Sequence, residues 1–479
     1  MKIPTITHCV KTVVLALFMG TAMTSSAQSL RTTYFMDGVQ YRMQLNPALA
    51  PSRGFVHLPA VSNTGAALRS NSFCLEDIID IIKNKDDADY FIADRFMTNL
   101  RDENHALANA RTDLAAAGWW HGRNFWSFNI GVRVDGSLSV PRDLFTYMRD
   151  MKGLNDIDYS NYLRDIGKEQ LDFNAYTEIG VGYARQLNDR LSVGARLKGL
   201  LGLGNINLKV NKTAVKIALD GLSRDFDWSD PDYEQLRNAT GTASVDVEAD
   251  LESSFTGLDL LVNNSGYIDD VDFKSRDMGV SGYGAAVDVG LSYRVTDGLT
   301  LSAAINDLGF IKWSKGCTQI AHADTEFLNY DSSSPNPDNA ESLMKALGRI
   351  EALNPDILRL TIDNDGVKSR NTSLASTMAL GAEYAFSNDK VSLGALYTNH
   401  FARIKNESEI TFSVNYRPST MVNLTASYSP VMCGGSSFGV AVKCGPLFVG
   451  TDYMYLGKDT KCCNALVGIS VPIGAKPES

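Results

Sequence analysis

Residues 374–386 have the sequence LASTMALGAEYAF, and residues 409–417 have the sequence EITFSVNYR. Apolar or aromatic residues alternate with small or polar ones in both stretches, so an extended strand would have one apolar face and one wet face. The alternation places Leu374 and Leu380 on the apolar face and Glu383 on the other. Segments of about ten residues with this period are typical of strands that face lipid on one side and a polar lumen on the other.

The same period continues to the C-terminus and recurs upstream. It predicts strands at residues 54–69, 105–120, 123–139, 174–187, 191–210, 282–295, 299–313, 373–386, 391–397, 409–417, 422–428, 438–442, 447–455 and 467–471. The stretch 106–117 is rich in helix-forming alanine, but its alternation favours a strand. An extra pair, 210–218 with 243–255, is expected to extend as a hairpin above the membrane. The fourteen strands predict an all-β chain that forms a transmembrane antiparallel β-barrel.

The connections between these strands differ in length on the two sides of the predicted barrel. Short turns follow the even strands, at residues 121–122, 188–190, 296–298, 387–389, 418–419 and 445–446. Long connections follow odd strands, around residues 70–104, 141–173, 211–281 and 314–372. They therefore emerge on one side, as the extracellular loops of outer-membrane barrels do. A periplasmic or secreted β-sandwich is the alternative, but its strands are usually shorter and its loops less one-sided.

The two faces of the strands predict two sets of side chains. Outward tyrosines near strand ends are expected at the level of the lipid headgroups, and these are Tyr397, Tyr416, Tyr428, Tyr453 and Tyr455. The lumen-facing candidates are Arg133, Glu178, Arg196, Lys198, Asp288, Arg294, Glu383, Glu409 and Arg417. Because both signs of charge occur, we expect a salt-bridged, partly filled lumen rather than a strongly ion-selective pore.

Composition and the N-terminus restrict the class and location of the protein. The chain has 479 residues, of which 44% are hydrophobic and 21% are charged, and its net charge is -10. The acidic balance offers no broad cationic surface, so nucleic acid is not expected as a partner. Residues 1–27 predict a Sec-type signal peptide, because Lys2 and Lys11 precede an apolar run and Ser25-Ser26-Ala27 supplies small residues for cleavage. Export without a predicted spanning helix favours the bacterial outer membrane.

Residues 28–53 precede the first strand and carry a local motif. They contain Ser29-Leu30-Arg31, Tyr34-Phe35-Met36, Tyr41-Arg42 and Leu45-Asn46-Pro47-Ala48-Leu49-Ala50-Pro51. With the strand layout, this resembles an uncharacterised family of Bacteroidetes outer-membrane barrels, distantly similar to FadL-like fatty-acid transporters and PorV-like barrels. The resemblance implies that residues 28–53 form an N-terminal plug, with Asn46, Pro47 and Ala48 at the matching step. The implied organisation is a signal peptide at 1–27, the plug, a barrel at 54–474 and a tail at 475–479.

The resemblance also implies a function. A FadL-like barrel would passively take up or bind a hydrophobic small molecule, with outer-membrane lipids as its surroundings. The alternative is a non-transporting PorV-like barrel that docks secreted or surface proteins with its long loops. The C-terminal stretch Val471-Pro472-Ile473-Gly474 departs from barrels that end in an aromatic residue.

The sequence lacks the usual motifs of enzymes. No HExxH, GxSxG, P-loop or dinucleotide fingerprint occurs, so we predict no enzyme, no metal site and no cofactor. A hydrolase built from His400 and a lumen serine, or calcium binding by the acidic stretch 225–234, are the alternatives. Cys433 and the pair Cys462 and Cys463 lie near predicted outer loops, which suggests a disulfide between Cys433 and one of the pair.

Overall fold

The computed structural model of the chain describes residues 30–57, 62–77, 93–154, 157–223, 226–228, 230–352, 358–386, 390–419, 421–457 and 459–475. The predicted signal peptide, the turn at 387–389 and most of the predicted tail lie outside these residues.

Most of the described chain is in strands. The strands are β1 Arg53–His57, β2 Ser62–Ser70, β3 Glu103–His121, β4 Asn124–Pro141, β5 Tyr162–Asp165, β6 Glu169–Gln186, β7 Leu191–Asp220, β8 Thr240–Phe255, β9 Leu258–Val262, β10 Ile268–Phe273, β11 Gly282–Arg294, β12 Leu299–Trp313, β13 Thr318–Ser332, β14 Thr361–Ile362, β15 Arg370–Ser373, β16 Ser376–Ala385, β17 Val391–Phe401, β18 Glu407–Ser419, β19 Val422–Met432, β20 Gly435–Cys444, β21 Leu447–Thr451 and β22 Cys462–Ala475. The α-helices are α1 Asp94–Asn99, α2 Arg142–Asp150, α3 Tyr233–Asn238 and α4 Asn339–Ala352. The residues before β1, here called the N-terminal segment (residues 30–52), contain the 3-10 helices Arg31–Thr33 and Gln40–Gln44.

Fourteen antiparallel wall strands close into a barrel. β1 and β2 together form the first wall strand, β15 and β16 form the eighth, and the others are β3, β4, β6, β7, β11, β12 and β17 to β22. The last strand pairs with the first, with Val56 opposite Val471 and Ala66 opposite Ala465. Closure gives the edge strands partners for their backbone amides, as a hydrocarbon environment demands. The predicted transmembrane barrel of about fourteen strands is confirmed, including a strand for the Ala-rich stretch.

The outer face of the wall is apolar. Large apolar side chains exposed on the strands include Leu301, Leu393, Phe412, Val440 and Val467, while their sequence neighbours point into the lumen. Tyr416, Tyr428 and Tyr455 are exposed as predicted. Tyr453 is not, because the chain leaves the ladder after β21 and turns this side chain inward, where it donates a hydrogen bond to Glu409.

The long connections lie on one side of the barrel and build a domain of their own. β7 continues beyond the wall and pairs with β8, with Val210 opposite Ala249 and Ala218 opposite Thr242. This confirms the predicted hairpin, which is extended by pairing of β8 with β13 and of β7 with β5. Helices α2, α3 and α4 pack on this sheet and complete the loop-domain core, an apolar cluster that includes Tyr147, Val215, Leu236, Val247 and Leu343. Among the described residues no helix is long and apolar enough to cross a membrane.

Two further local predictions are wrong. The predicted turn at Pro418-Ser419 belongs to β18, which ends at Ser419. Leu374 was placed on the outer face, but it is buried and packs against the inward side chains Ile311 and Trp313. The reason is an interruption between β15 and β16 that shifts the inside–outside alternation by one residue.

Candidate functional site

The N-terminal segment lies inside the barrel. A Cβ at Gly381 of β16 would lie 2.6 Å from the ring of Tyr34, and a Cβ at Gly450 of β21 would lie 2.7 Å from Leu30. Further wall glycines that face the segment in this way are Gly194, Gly290, Gly394, Gly439 and Gly468. These glycines belong to β7, β11, β16, β17, β20, β21 and β22, so the segment is in contact with many strands of the barrel wall. Only hydrogen fits at such positions, and the segment is therefore packed against backbone.

The predicted Asn46-Pro47-Ala48 step is a buried clamp. Asn46 is fully buried, and its Nδ2 donates to the Tyr34 hydroxyl at 3.1 Å, to Leu291 O at 3.2 Å and to Ala303 O at 3.3 Å. Its Oδ1 accepts from Ala48 N at 3.0 Å, which closes a local turn. The side chain thus ties the N-terminal segment to β11 and β12 as well as to itself.

A buried ionic group anchors the start of the segment. Asp452 accepts from Arg31 N at 3.0 Å, from Thr32 N at 2.8 Å and from Thr32 Oγ1 at 2.6 Å. The Arg31 Nε lies 2.7 Å from Glu409 Oε2, and both side chains are almost fully buried. Asn464 of β22 accepts from Asp452 N at 2.8 Å. The Asn464 side chain takes the place of the ladder hydrogen bond that is lost where β21 ends.

A second ionic group holds the middle of the segment. Asp37 pairs with Arg42 of the segment and with Arg417 of β18. Arg417 also lies 2.7 Å from Glu383 Oε1 on β16. The side chain of Lys443 donates to the carbonyl of Gly38. Three wall strands therefore hold this part of the segment.

A charged layer crosses the lumen next to the segment. It consists of Asp113, Arg133, Glu178, Arg196, Lys198, Asp288 and Asp307. Arg133 Nη2 lies 2.7 Å from Asp113 Oδ1. Asp288 lies between two cations, with Oδ2 2.8 Å from Arg196 Nε and Oδ1 2.9 Å from Lys198 Nζ. The near balance of cations and anions agrees with a salt-bridged lumen.

The nine predicted lumen residues divide into three groups and one outlier. Five belong to the charged layer, namely Arg133, Glu178, Arg196, Lys198 and Asp288. Arg417 binds Asp37 and is itself paired with Glu383, and Glu409 binds Arg31. Arg294 is not brought together with them, because it ends β11 and is exposed at the side of the short turns.

The cavity beside the charged layer is small and polar. Its volume is about 90 Å³, and its walls include Arg111, Tyr176, Asn306, Asp307 and Ala375. A cavity of this size holds a few water molecules, whereas pockets for drug-sized ligands start at about 300 Å³. Charged and polar walls and this volume suit water better than an apolar ligand.

An apolar layer lies on the loop-domain side of the charged layer. It consists of Tyr176, Leu200, Ala286, Ile311, Trp313 and Leu374. The indole Nε1 of Trp313 donates to Thr372 Oγ1 at 2.8 Å, and a Cβ at Gly202 would lie 2.5 Å from the ring. The next inward position of β7, Gly204, faces the ring of Phe255, which packs against the loop-domain core. Phe255 and Trp313 therefore lie against neighbouring inward positions along β7, between the loop-domain core and the charged layer.

The wall is irregular where these two layers meet. β12 pairs with β15 at Phe310–Trp313 and with β16 at Leu299–Asn306. Residues 307–309 and 374–376 lie between these two paired stretches and have no ladder pairing with each other in the described structure. Leu374 N nevertheless donates to Gly309 O at 3.0 Å. Asp307 has a φ of 60°, a left-handed conformation that is uncommon outside glycine. We call residues 307–309 with 374–376 the seam bulge.

Several interior residues were not predicted from the sequence. Asp113 lies on the polar face of its predicted strand, so a search for charge on that face could have found it. Asp307 and Trp313 escaped because the seam bulge changes which residues point inward. Asp452 pairs with Arg31, which is far away in the sequence, so no local pattern predicts this contact.

The remaining chemical candidates are less organised. His400 lies beside a threonine, with Nδ1 3.0 Å from Thr377 Oγ1. Across the described residues no group of three His, Cys, Asp or Glu side chains is arranged to hold a metal ion. Burial raises the pKa of the Cys74 thiol in the first long connection. Cys433, Cys462 and Cys463 are unbridged in the structure, and a disulfide between Cys433 and one of the pair stays a prediction.

The chain matches one family model in sequence and is similar in fold to solved outer-membrane proteins. Residues 47–452 match the model of a family described as "Family of unknown function (DUF5723)". The fold is similar to that of the Ralstonia pickettii toluene transporter TbuX, with 10% identity, coverage of 91% of this chain and 94% of that chain, and a TM-score of 0.38. It is also similar to a Pseudomonas aeruginosa FadL homologue, with 10% identity, 95% coverage of both chains and a TM-score of 0.38. No curated protein matches the chain in sequence.

Proposed function

Because the chain belongs to the DUF5723 family, whose function is unknown, we propose from its own structure that it passively takes up or binds a hydrophobic small molecule in the bacterial outer membrane. The observation that carries the proposal is the apolar layer around Trp313 and Leu374, which lies inside the barrel next to Phe255 at the edge of the loop-domain core. It ends at the seam bulge, an irregular part of a wall whose outer face contacts lipid.

The outer-membrane location is supported by the apolar outer face of the closed barrel. Sec-type export, the Bacteroidetes origin and similarity to PorV-like barrels stay predictions. Docking of secreted or surface proteins has no specific observation in its favour among the described residues, so we do not propose it. The proposed role is that of a channel or binding protein and not of an enzyme.

The route along the barrel axis is unfavourable for an apolar molecule. The charged layer and the N-terminal segment lie across it, and both are held by buried ion pairs and hydrogen bonds. An apolar molecule there would separate buried charges, and pairing is what offsets the loss of their hydration. We therefore propose that residues 28–53 act as a fixed plug and that the molecule leaves through the wall at the seam bulge.

The experiment separates the two routes in proteoliposomes, with uptake of a fluorescent hydrophobic dye as the readout. Ala375 belongs to the seam bulge and its side chain faces the interior, so Ala375→Phe should obstruct the proposed exit and lower uptake at least several-fold. Ala382→Phe on the lipid-facing side of the same strand is the matched control and should leave uptake unchanged. Equal uptake by the two variants contradicts the wall route.

A disulfide lock tests the fixed plug. The hydroxyls of Thr32 in the N-terminal segment and Ser427 on β19 are 2.8 Å apart, so the double variant Thr32→Cys, Ser427→Cys should form a bridge when oxidised. Dye uptake by the oxidised and reduced forms should be equal. If oxidation abolishes uptake and reduction restores it, the plug moves and the axial route is correct.

A further inference from the structure

A loop and two wall strands bring two thiols together at the extracellular end of the lumen. The loop between β19 and β20 contains Cys433 and Gly434. A Cβ at Gly434 would lie 2.8 Å from the Sγ of Cys462 and 3.1 Å from Ser70 O. The loop therefore rests directly on the start of β22 and the end of β2. Cys433 is the residue next to this contact, and electrostatic coupling between the thiols of Cys433 and Cys462 also marks them as neighbours.

The direction of the side chains distinguishes the two adjacent cysteines of β22. Cys462 is on the inward side, like Asn464 and Leu466, and its side chain is buried. Cys463 is on the opposite side of the strand, because successive residues of a strand point to opposite faces. Only Cys462 therefore faces the same interior as Glu407 and the loop.

Charged groups surround the thiols. The Cys433 thiol donates a hydrogen bond to Glu407, whose Oε2 lies 2.5 Å from Arg69 Nη1. Burial, followed by the charge of Glu407, raises the pKa of the Cys433 thiol. The half-buried Cys433 thiol is therefore held in its protonated form, which is a poor nucleophile. Oxidation of this pair is favoured earlier, when the chain is still open in the periplasm.

We propose that Cys433 and Cys462 are joined by a disulfide in the exported protein. The oxidant is a protein disulfide of the thiol–disulfide oxidoreductase class. The thiolate of one cysteine attacks the oxidant's disulfide, and one thiolate of the oxidant leaves. The thiolate of the second cysteine then attacks the mixed disulfide, and the second thiolate of the oxidant leaves. The two cysteines lose two protons and two electrons, and the oxidant gains them as a dithiol.

The bridge would fix the β19–β20 loop over the place where the barrel closes. β22 pairs with β2 from Thr64–Val467 to Arg69–Cys462, so Cys462 marks the extracellular end of the pairing between the last and first strands. A covalent bond to Cys462 would hold the loop, which also lies against Ser70 O of β2, across this end. Cys463, one residue away, could not do so from the lipid-facing side.

Mass spectrometry of the full chain tests the proposal. The chain is isolated from outer membranes in detergent, denatured with a maleimide present and digested without reductant. The expected product is a peptide pair linked through Cys433 and Cys462, lighter by two hydrogens than the reduced pair. Maleimide on both cysteines, or a link from Cys433 to Cys463, would overturn the proposal.

Variants and a second preparation control for folding. Cys463→Ser should keep the linked pair, whereas Cys462→Ser should leave Cys433 open to maleimide. Folding of each variant is checked by the change in gel mobility between unheated and heated samples.

A second preparation starts from cytosolic inclusion bodies. Chain refolded under reductant should take maleimide at both residues, and oxidation by added diamide before refolding should restore the link. A link that survives in Cys462→Ser, or one that diamide cannot restore, contradicts the proposed pairing. Dye uptake does not enter these readouts, so their failure is distinct from failure of the transport proposal.

Discussion

The substitution Asp288→Asn removes an anion that lies between two buried cations of the charged layer. Asp288 is fully buried, within 2.8 Å of Arg196 Nε and 2.9 Å of Lys198 Nζ. Breaking a buried ion pair by removing one partner costs about 3–5 kcal/mol. Lys198 retains Asp307, at 2.5 Å, so the lower end of that range, about 3 kcal/mol, is expected.

Urea unfolding in detergent micelles, followed by tryptophan fluorescence, measures this loss of free energy of unfolding. The matched control is Asp250→Asn in the loop domain, where Asp250 and His322 are 2.6 Å apart but both are about half exposed. Exposed pairs contribute about 0–1 kcal/mol, so the control should stay close to the unmodified chain. If Asp288→Asn also loses less than about 1 kcal/mol, the charged layer is not the buried network described here.

A double variant tests whether the loss comes from the unpaired cation. Asp288→Asn combined with Arg196→Met removes both partners of one pair. The double variant should lose less than the sum of the two single losses, by about 1 kcal/mol or more, because neither charge is left alone. Additive losses would assign the effect of Asp288→Asn to packing.

Three further predictions concern the N-terminal segment and the loop domain. Asn46→Ala removes hydrogen bonds to Tyr34, Leu291 O and Ala303 O and should lower stability by about 2–4 kcal/mol. Faster hydrogen exchange in residues 30–52 measures it. The control is Asn211→Ala in the loop domain, where the Asn211 amide donates to the exposed Glu248 at 3.4 Å, and equal exchange in the two variants refutes the clamp. Gly381→Ala places a Cβ 2.6 Å from the ring of Tyr34 and should displace the segment, whereas Gly316→Ala meets open space. Protease cleavage within residues 30–52 should increase only in the former. Gly348→Ala in α4 also meets open space and should raise the free energy of unfolding by about 0.5–1 kcal/mol, and a destabilised variant would show that this helix position is constrained.

The barrel follows from local patterns in the sequence. Lipid outside and polar groups inside require period-two alternation in every wall strand, and this pattern is local, so it can be read from short stretches such as residues 409–417. The difference between short and long connections likewise gave the side on which the loop domain lies. Charged residues on the polar face, such as Glu178, Lys198 and Asp288, were found for the same reason.

Which of these residues contact each other depends on long-range pairing that local patterns do not contain. Arg31 and Asp452 are 421 positions apart, and the contact depends on closure of the whole barrel and on where the N-terminal segment lies within it. At the seam bulge the inside–outside alternation shifts by one residue in β12 and by one residue between β15 and β16, which turns Leu374 inward. Each shift is stabilised by the matching shift in the neighbouring strand and not by the local sequence. The apolar layer and the neighbourhood of Cys433 and Cys462 depend on the same long-range register, which no stretch of alternating residues contains.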